Sequence, residues 1–142
     1  MRDILFHGKR KDNGEWVEGY LIVCNGTVNH GRAYISESVN SIYFNLKGFD
    51  IGNFYEVDPD TVGQYIELTD KNGKKIFEGD ICICREYECI GYIAWTDNDA
   101  SFDYCMLCED GTYDVEYLYD YIEELKVVGN IHDNPELLEV KK

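Results

Sequence analysis

Long hydrophobic runs, basic residues between Arg85 and Lys126 and glycine-rich phosphate loops are all missing from these 142 residues. The opening MRDILFHGKRKDNG holds only Ile4, Leu5 and Phe6 as an apolar run, too short for a signal-peptide core or a membrane span. A cytoplasmic location without membrane association is therefore expected. Between Arg85 and Lys126 no basic residue occurs, whereas Glu86, Glu88, Asp97, Asp99, Asp103, Glu109, Asp110, Asp114, Glu116, Asp120, Glu123 and Glu124 all fall in that interval. With 28 Asp and Glu against 13 Lys and Arg, the formal net charge is −15. That charge repels nucleic-acid phosphates and anionic lipid at long range, which disfavours direct nucleic-acid binding. No glycine run precedes a predicted helix, so a phosphate-cradling loop is not indicated. His7, His30 and His132 lie far apart, and no Ser or Cys stands near them in a nucleophile setting. No enzymatic activity is expected.

What is present is a succession of short strands and turns. The chain is long enough for one ordinary core, and no repeat period is visible. It is read as a single domain over 1–142, with a subdivision into 1–60 and 61–142 as the alternative. Trp16, Tyr20 and Ile22, with Val17, Leu21 and Val23 on the other parity, predict a buried strand over 15–24. Lys11-Asp12-Asn13-Gly14 reads as the turn that pairs residues 3–9 with 15–23, and Asn25-Gly26 as a second reversal before a weakly apolar strand near 27–34. Over 36–60 a loop and short strand at Ile42, Tyr43 and Phe44, an apolar patch at Phe49 and Ile51, and a strand ending at Asp58-Pro59-Asp60 are expected. Asn72-Gly73 marks a hairpin between Tyr65–Leu68 and Lys75–Phe77, and Glu78-Gly79-Asp80 turns the chain again. Strands follow over 81–84, 90–95 and 102–108, with Gly91 allowing a bend or a close backbone approach. Val115, Leu118, Tyr119 and Ile122 recur at helical spacing behind Asp114, predicting a short helix near 114–121. A last strand runs through Leu125, Val127, Val128 and Ile131, and Asn134-Pro135-Glu136 opens a terminal helical turn over 135–140.

Two metal chemistries can be tested on spacing. Cys82, Cys84, Cys105 and Cys108 supply enough thiolates for zinc, but both pairs lie inside apolar strands rather than on turns that aim two sulfurs at one point. They are read, with Cys24 and Cys89, as reduced thiols acting as small hydrophobes, since disulfides belong to exported chains. A redox role for Cys105 and Cys108 lacks the helix N-terminus that would depress a thiol pKa. Asp97-Asn98-Asp99 resembles the start of a calcium loop, yet positions 102 and 108 are Phe and Cys where Gly and Glu are required. No cofactor and no metal are expected.

The acidic interval also carries tyrosine, at Tyr104, Tyr113, Tyr117, Tyr119 and Tyr121. Such a block can serve solubility, and tyrosines pack readily on half-buried sheets. The same mixture of carboxylate and tyrosine suits adaptable contacts with a basic protein, the acidic face then imitating the phosphate charge of nucleic acid. The candidate protein-binding residues are Asp97, Asp99, Asp114, Glu116, Tyr117, Asp120 and Tyr121. The alternative is a small-molecule binder in which an oligomer or a barrel mouth encloses a ligand among tyrosines and backbone groups.

Arg2-Asp3-Ile4-Leu5-Phe6, GEWVEGYL at 14–21, DPDTVGQY at 58–65, DKNGKKIFEGDI at 70–81 and VGNIHDNPELL at 128–138 together resemble the YopX family of phage and prophage proteins. Ile66 and Glu67 depart from the resemblance, which leads one to expect smaller residues such as Thr and Gly, a departure read as mattering little for the fold. The resemblance implies a mostly β, host-intracellular protein without an assigned reaction, and it carries over no catalytic residue. The fold expected is mostly β, all-β or β-rich α+β, of antiparallel strands with a barrel-like C-terminal half and one or two short helices near the C-terminus. The expected role is a non-enzymatic accessory protein binding a host or phage protein, with self-association into a homo-oligomer left open.

Overall fold

The computed structural model describes residues 4–25, 31–37, 42–45, 48–51 and 54–140. The chain divides into two compact units, Met1–Tyr65 and Ile66–Lys142. The second reversal expected at Asn25-Gly26 lies largely outside the described residues.

The first unit contains β1 (Phe6–Lys9), β2 (Trp16–Cys24), β3 (Arg32–Ser36), β4 (Ile42–Asn45), β5 (Gly48–Ile51), β6 (Phe54–Val57) and the start of β7 (Gly63–Thr69), all paired antiparallel. Strands β6, β3, β2, β1 and β7 are neighbours in that order, and β4 pairs with β5 as a separate ribbon. The expected hairpin forms, with Phe6 opposite Gly19 and Lys9 opposite Trp16. Val17, Ala33, Ile35 and Val57 make its core, flanked by Phe6, Leu21, Tyr55 and Val62. At its surface Glu56 accepts from the Arg32 guanidinium at 2.7 Å and pairs with Lys11 at 3.1 Å. Those two cations, Arg32 first, hold the Glu56 carboxyl down at about 2. Pro59 ends strand pairing as expected, in a 3₁₀ turn at Pro59–Thr61 whose Asp60 amide donates to the Asp58 side chain.

The second unit takes up the rest of β7, then β8 (Lys75–Phe77), β9 (Asp80–Cys84), β10 (Cys89–Thr96), β11 (Ser101–Leu107), β12 (Tyr113–Glu116) and β13 (Leu125–Asn130). Five of these form an antiparallel sheet in the order β12-β11-β10-β9-β13. Its core gathers Ile66, Ile76, Cys82, Cys84, Ile93, Tyr104, Leu118, Leu125 and Val127. The cysteines are free, and Cys82, Cys84 and Cys105 are buried. Gly91 is required by a close approach, since a Cβ there would lie 2.3 Å from the Cys105 carbonyl oxygen.

Two buried carboxylates organise this unit. The amides of Asn72 and Lys74 each donate to Asp70 Oδ1 at 2.9 Å, closing the hairpin, while the amide of Val127 on β13 donates to Asp70 Oδ2 at 3.0 Å. Burial alone would raise the Asp70 pKa, but the amides of Val127, Lys74 and Asn72 outweigh it and hold the carboxyl below its usual range. Asp80 accepts from the Phe77 amide at 2.8 Å across the next turn. Here burial dominates and pushes the carboxyl up to about 6. Between them Gly79, at φ +91°, donates to the Ile93 carbonyl at 2.7 Å and accepts from the Ile131 amide at 2.9 Å. The left-handed backbone at this junction explains the glycine.

Two expectations are corrected. The helix near 114–121 is not formed: residues 113–116 extend as β12 against β11, Asp114 lies opposite Met106, and only a 3₁₀ turn follows at Leu118–Asp120. Its supposed apolar stripe is not one, because Val115 and Tyr119 are 54% and 80% exposed while Leu118 is 6% exposed. The terminal turn is likewise 3₁₀, over Pro135–Leu138. The C-terminal half is an open sheet and not a closed barrel, since among the described residues β12 and β13 stand at opposite ends of the strand order.

Glu67 holds φ +69° inside β7, a conformation that disfavours side chains with a Cβ. The glycine expected there from the family resemblance thus has a backbone reason, and the departure is not neutral. Glu67→Gly is expected to stabilise the protein by about 1 kcal/mol, after subtracting the greater freedom of glycine in the unfolded chain. Urea unfolding checks this, and an unchanged or lowered midpoint contradicts it.

Asp80 generates a pH dependence of definite sign. Its folded carboxyl binds a proton more tightly than the unfolded one, so stability is present at low pH and declines as pH rises from about 4 through about 6, by at most about 3 kcal/mol. Asp70 acts in the opposite sense at lower pH, its contribution being lost as pH falls below the unfolded carboxyl range. Asp80→Asn is expected to flatten the stability profile between about pH 4 and pH 7, and a profile that keeps its slope in the variant contradicts the assignment.

Candidate functional site

The acidic residues singled out from sequence fall on two adjoining pieces of the second unit. Asp97 and Asp99 occupy the turn between β10 and β11, where Asp97 Oδ1 accepts from Trp95 Nε1 at 3.1 Å and its carbonyl accepts from the Ala100 amide. Beneath the turn lies Asp103, which is 2% exposed. Its carboxylate accepts from the hydroxyls of Thr96 and Ser101 and so ties the two strands together. The nearby Asp103 carboxylate, through their shared hydrogen bond, raises the Asp99 pKa.

Asp114 and Glu116 lie on β12, and Tyr117 leads from it into the 3₁₀ turn that carries Asp120. Thr96, Asp97, Asn98, Asp99, Val115 and Tyr117 line one open depression of about 640 Å³. The turn and β12 are thereby brought together, although they are far apart in sequence. Asp120 is exposed but does not line this depression. Tyr121 does not face it either: its ring lies 5.4 Å from that of Tyr104 and 5.5 Å from that of Tyr87, and it packs against the core. Of the candidate residues, Tyr121 is the one the fold uses for packing.

The geometry of β12 adds residues that sequence reasoning passed over. Tyr113 and Val115 are exposed, and Tyr113 meets Tyr92 edge-on at 5.1 Å. The Cys108 amide donates to the Thr112 carbonyl at 2.8 Å, and the register continues with Met106 opposite Asp114 and Tyr104 opposite Glu116. In an antiparallel ladder these alternate residues form the hydrogen-bonded pairs, so the main-chain groups of Asp114 and Glu116 point at β11. Those of Tyr113 and Val115 point away from it. Side chains alternate as well, which puts Tyr113, Val115 and Tyr117 on one face and Asp114 and Glu116 on the other. The signal was present as the alternation Tyr-Asp-Val-Glu-Tyr over 113–117, outcompeted by a coincidental helical spacing.

Tyr104, the most reactive-looking aromatic by position, donates its hydroxyl to the Cys82 carbonyl at 3.0 Å, and burial raises its pKa. Burial likewise raises the Cys82 and Cys105 thiols. Cys82 stands opposite Gly91, and Gly91 opposite Met106, so Cys105 projects to the other face of the sheet and the thiols do not converge. Among the described residues no group of three or more His, Cys, Asp or Glu is arranged to hold a metal ion. None of the helices described is long and apolar enough to cross a membrane.

A family model described as YopX protein matches residues 5–139. The crystal structure of protein EF1440 from Enterococcus faecalis is similar to this chain at a TM-score of 0.56 and 25% sequence identity, covering 96% of this chain and 99% of that one. No curated protein matches the sequence.

Proposed function

This chain belongs to the YopX family, and from that premise we propose that it is a non-enzymatic phage or prophage accessory protein that binds a host or phage protein in the cytoplasm. The surface used is the acidic, tyrosine-bearing one formed by the β10–β11 turn and β12. The observation that carries this reading is the exposure of apolar side chains beside carboxylates on one short strand. Val115 is 54% exposed and Tyr117 69%, next to Asp114 and Glu116. Solubility alone explains carboxylates, but it does not explain aromatic and branched side chains standing in water among them. An interface does, because tyrosine supplies contact area while the acids set the charge of the partner. With no basic residue between Arg85 and Lys126, that partner is basic. No cofactor takes part, and nucleic acid and membranes are not targets.

The small-molecule reading has less to stand on. Of the two enclosures it could use, the barrel mouth is missing because the sheet is open; an oligomer, and the polar depression beside Asp97 and Tyr117, remain for it. Native mass spectrometry of freshly purified protein distinguishes the two, since a retained low-mass ligand favours sequestration.

Asp114→Lys, Glu116→Lys and Asp120→Lys combined are expected to weaken capture of the partner from host lysate by about tenfold or more, and added salt to weaken capture by the unaltered chain. Capture that is indifferent to both the charge reversal and the salt contradicts the proposal. These positions are exposed or half-buried, so the variant is expected to fold.

A further inference from the structure

The outer edge of β12 is incomplete as a sheet element. Among the described residues β12 pairs with β11 alone and closes the sheet at one end. The N–H and C=O groups of Tyr113 and Val115 point outward by the register, and such a row is a template for another strand. Edges of this kind are ordinarily blunted by brevity, by charged side chains, lysine above all, by proline or by a bulge; β12 has the first two, being four residues long with acids at Asp114 and Glu116, and those acids bar an acidic strand but not a basic one. Residues 113–116 read Tyr-Asp-Val-Glu, with neither lysine nor proline, and the pairing with β11 runs without a register shift. The strand also has apolar side chains on the face that an added strand would extend.

Charge decides what can occupy the edge. Two copies of β12 can pair antiparallel only in a few registers that use the outward groups of Tyr113 and Val115. Placing Tyr113 opposite Val115 sets Asp114 against Asp114. Placing Val115 opposite Val115 sets Asp114 against Glu116 twice, and placing Val115 opposite Tyr117 sets Glu116 against Glu116; placing Tyr113 opposite Tyr113 avoids like charges by facing Asp114 with Thr112, but it puts Val115 against Gly111, which lies in the turn at φ +87° and offers no strand to pair with. Like charges directly opposite destabilise a strand pair, so a second copy of this chain is a poor occupant. A strand with lysine or arginine at alternate positions satisfies the same registers, its cations facing Asp114 and Glu116 and its apolar residues extending the face of Tyr113 and Val115.

We propose that β12 is a strand-addition site for an extended segment of a partner protein in which basic and apolar residues alternate. This rests on the protein-binding reading above and specifies its mode: main-chain hydrogen bonds give the attachment, and the acids of β12 select the register and the partner.

The experiment uses the full chain and a synthetic peptide of about eight residues, a normal strand length, with lysine alternating with valine and threonine; a glutamate-for-lysine version is the control. Amide hydrogen exchange is followed by NMR. In the free chain the amides of Asp114 and Glu116 are expected to be protected and those of Tyr113 and Val115 to exchange freely. Adding the lysine peptide is expected to slow Tyr113 and Val115 by about tenfold or more, with no effect from the glutamate peptide. Val115→Pro removes an outward N–H without breaking a bond to β11, and is expected to weaken peptide binding by about tenfold through the lost main-chain hydrogen bonds. Peptide that binds while Tyr113 and Val115 exchange as before overturns strand addition and leaves the acidic surface intact as a binding face. A lysine peptide that does not bind at all also overturns it, and the protein-binding reading is then judged by the lysate capture alone. If instead the chain self-associates and Val115→Pro abolishes the association, the occupant is a second copy and the basic-strand proposal is wrong.

Discussion

The second unit depends on one buried carboxylate satisfied by main-chain amides. Asp70 receives Asn72 and Lys74 from its own hairpin and Val127 from a strand 57 residues further on. An ionised group at 6% exposure is a large desolvation penalty unless its hydrogen bonds are complete. Three charge-assisted bonds, of about 1.5–3 kcal/mol each, are what offset it. The consequence is topological as much as energetic, because the bond to Val127 fixes where β13 meets the β7–β8 hairpin. From that point Gly79 bonds Ile131 and Ile93, Asp80 lies opposite Asn130, and β13 passes along β9 with a register shift between Val127 and Gly129.

Two of the stretches that carry the family resemblance meet at this junction. DKNGKKIFEGDI supplies Asp70, Gly79 and Asp80; VGNIHDNPELL supplies Asn130 and Ile131. Both sets of residues are occupied with building one junction. The surface proposed to bind a partner lies at the other end of the strand order, on β12, with β9, β10 and β11 between it and β13. Assembly is concentrated at one edge of the sheet and the proposed contact surface lies at the other, so these motifs and the candidate site share no residue.

Much of this architecture was readable in advance, and the part that was not has identifiable causes. The hairpin at Asn72-Gly73, the turn at Glu78-Gly79-Asp80 and the strands over 81–84 and 90–95 follow from glycine and asparagine backbone freedom and from local apolar pattern, and all are present. The role of Asp70 was not readable, because its third donor is 57 residues away and no local rule reaches that far. Asp80 and Asp103 look like turn and surface acids until the fold buries them to 5% and 2% exposure. Residues 113–122 carry two periodicities at once, and the helical one was misleading: the ladder to β11 decides for the strand and leaves Val115 and Tyr119 in water. The barrel-like half failed for a similar reason, since strand count and turn spacing do not say whether the first and last strands meet. Tyr121 shows the limit for single residues, being indistinguishable in sequence from Tyr117 yet turned against Tyr104 and Tyr87.

If the Asp70 carboxylate organises the second unit, replacing it is the direct measurement. Asp70→Ala leaves the amides of Asn72, Lys74 and Val127 without their acceptor, and urea unfolding is expected to show a loss of about 3 kcal/mol or more, with accelerated exchange at Val127. A loss below about 1 kcal/mol, the range of an ordinary surface substitution, with Val127 still protected, would contradict it.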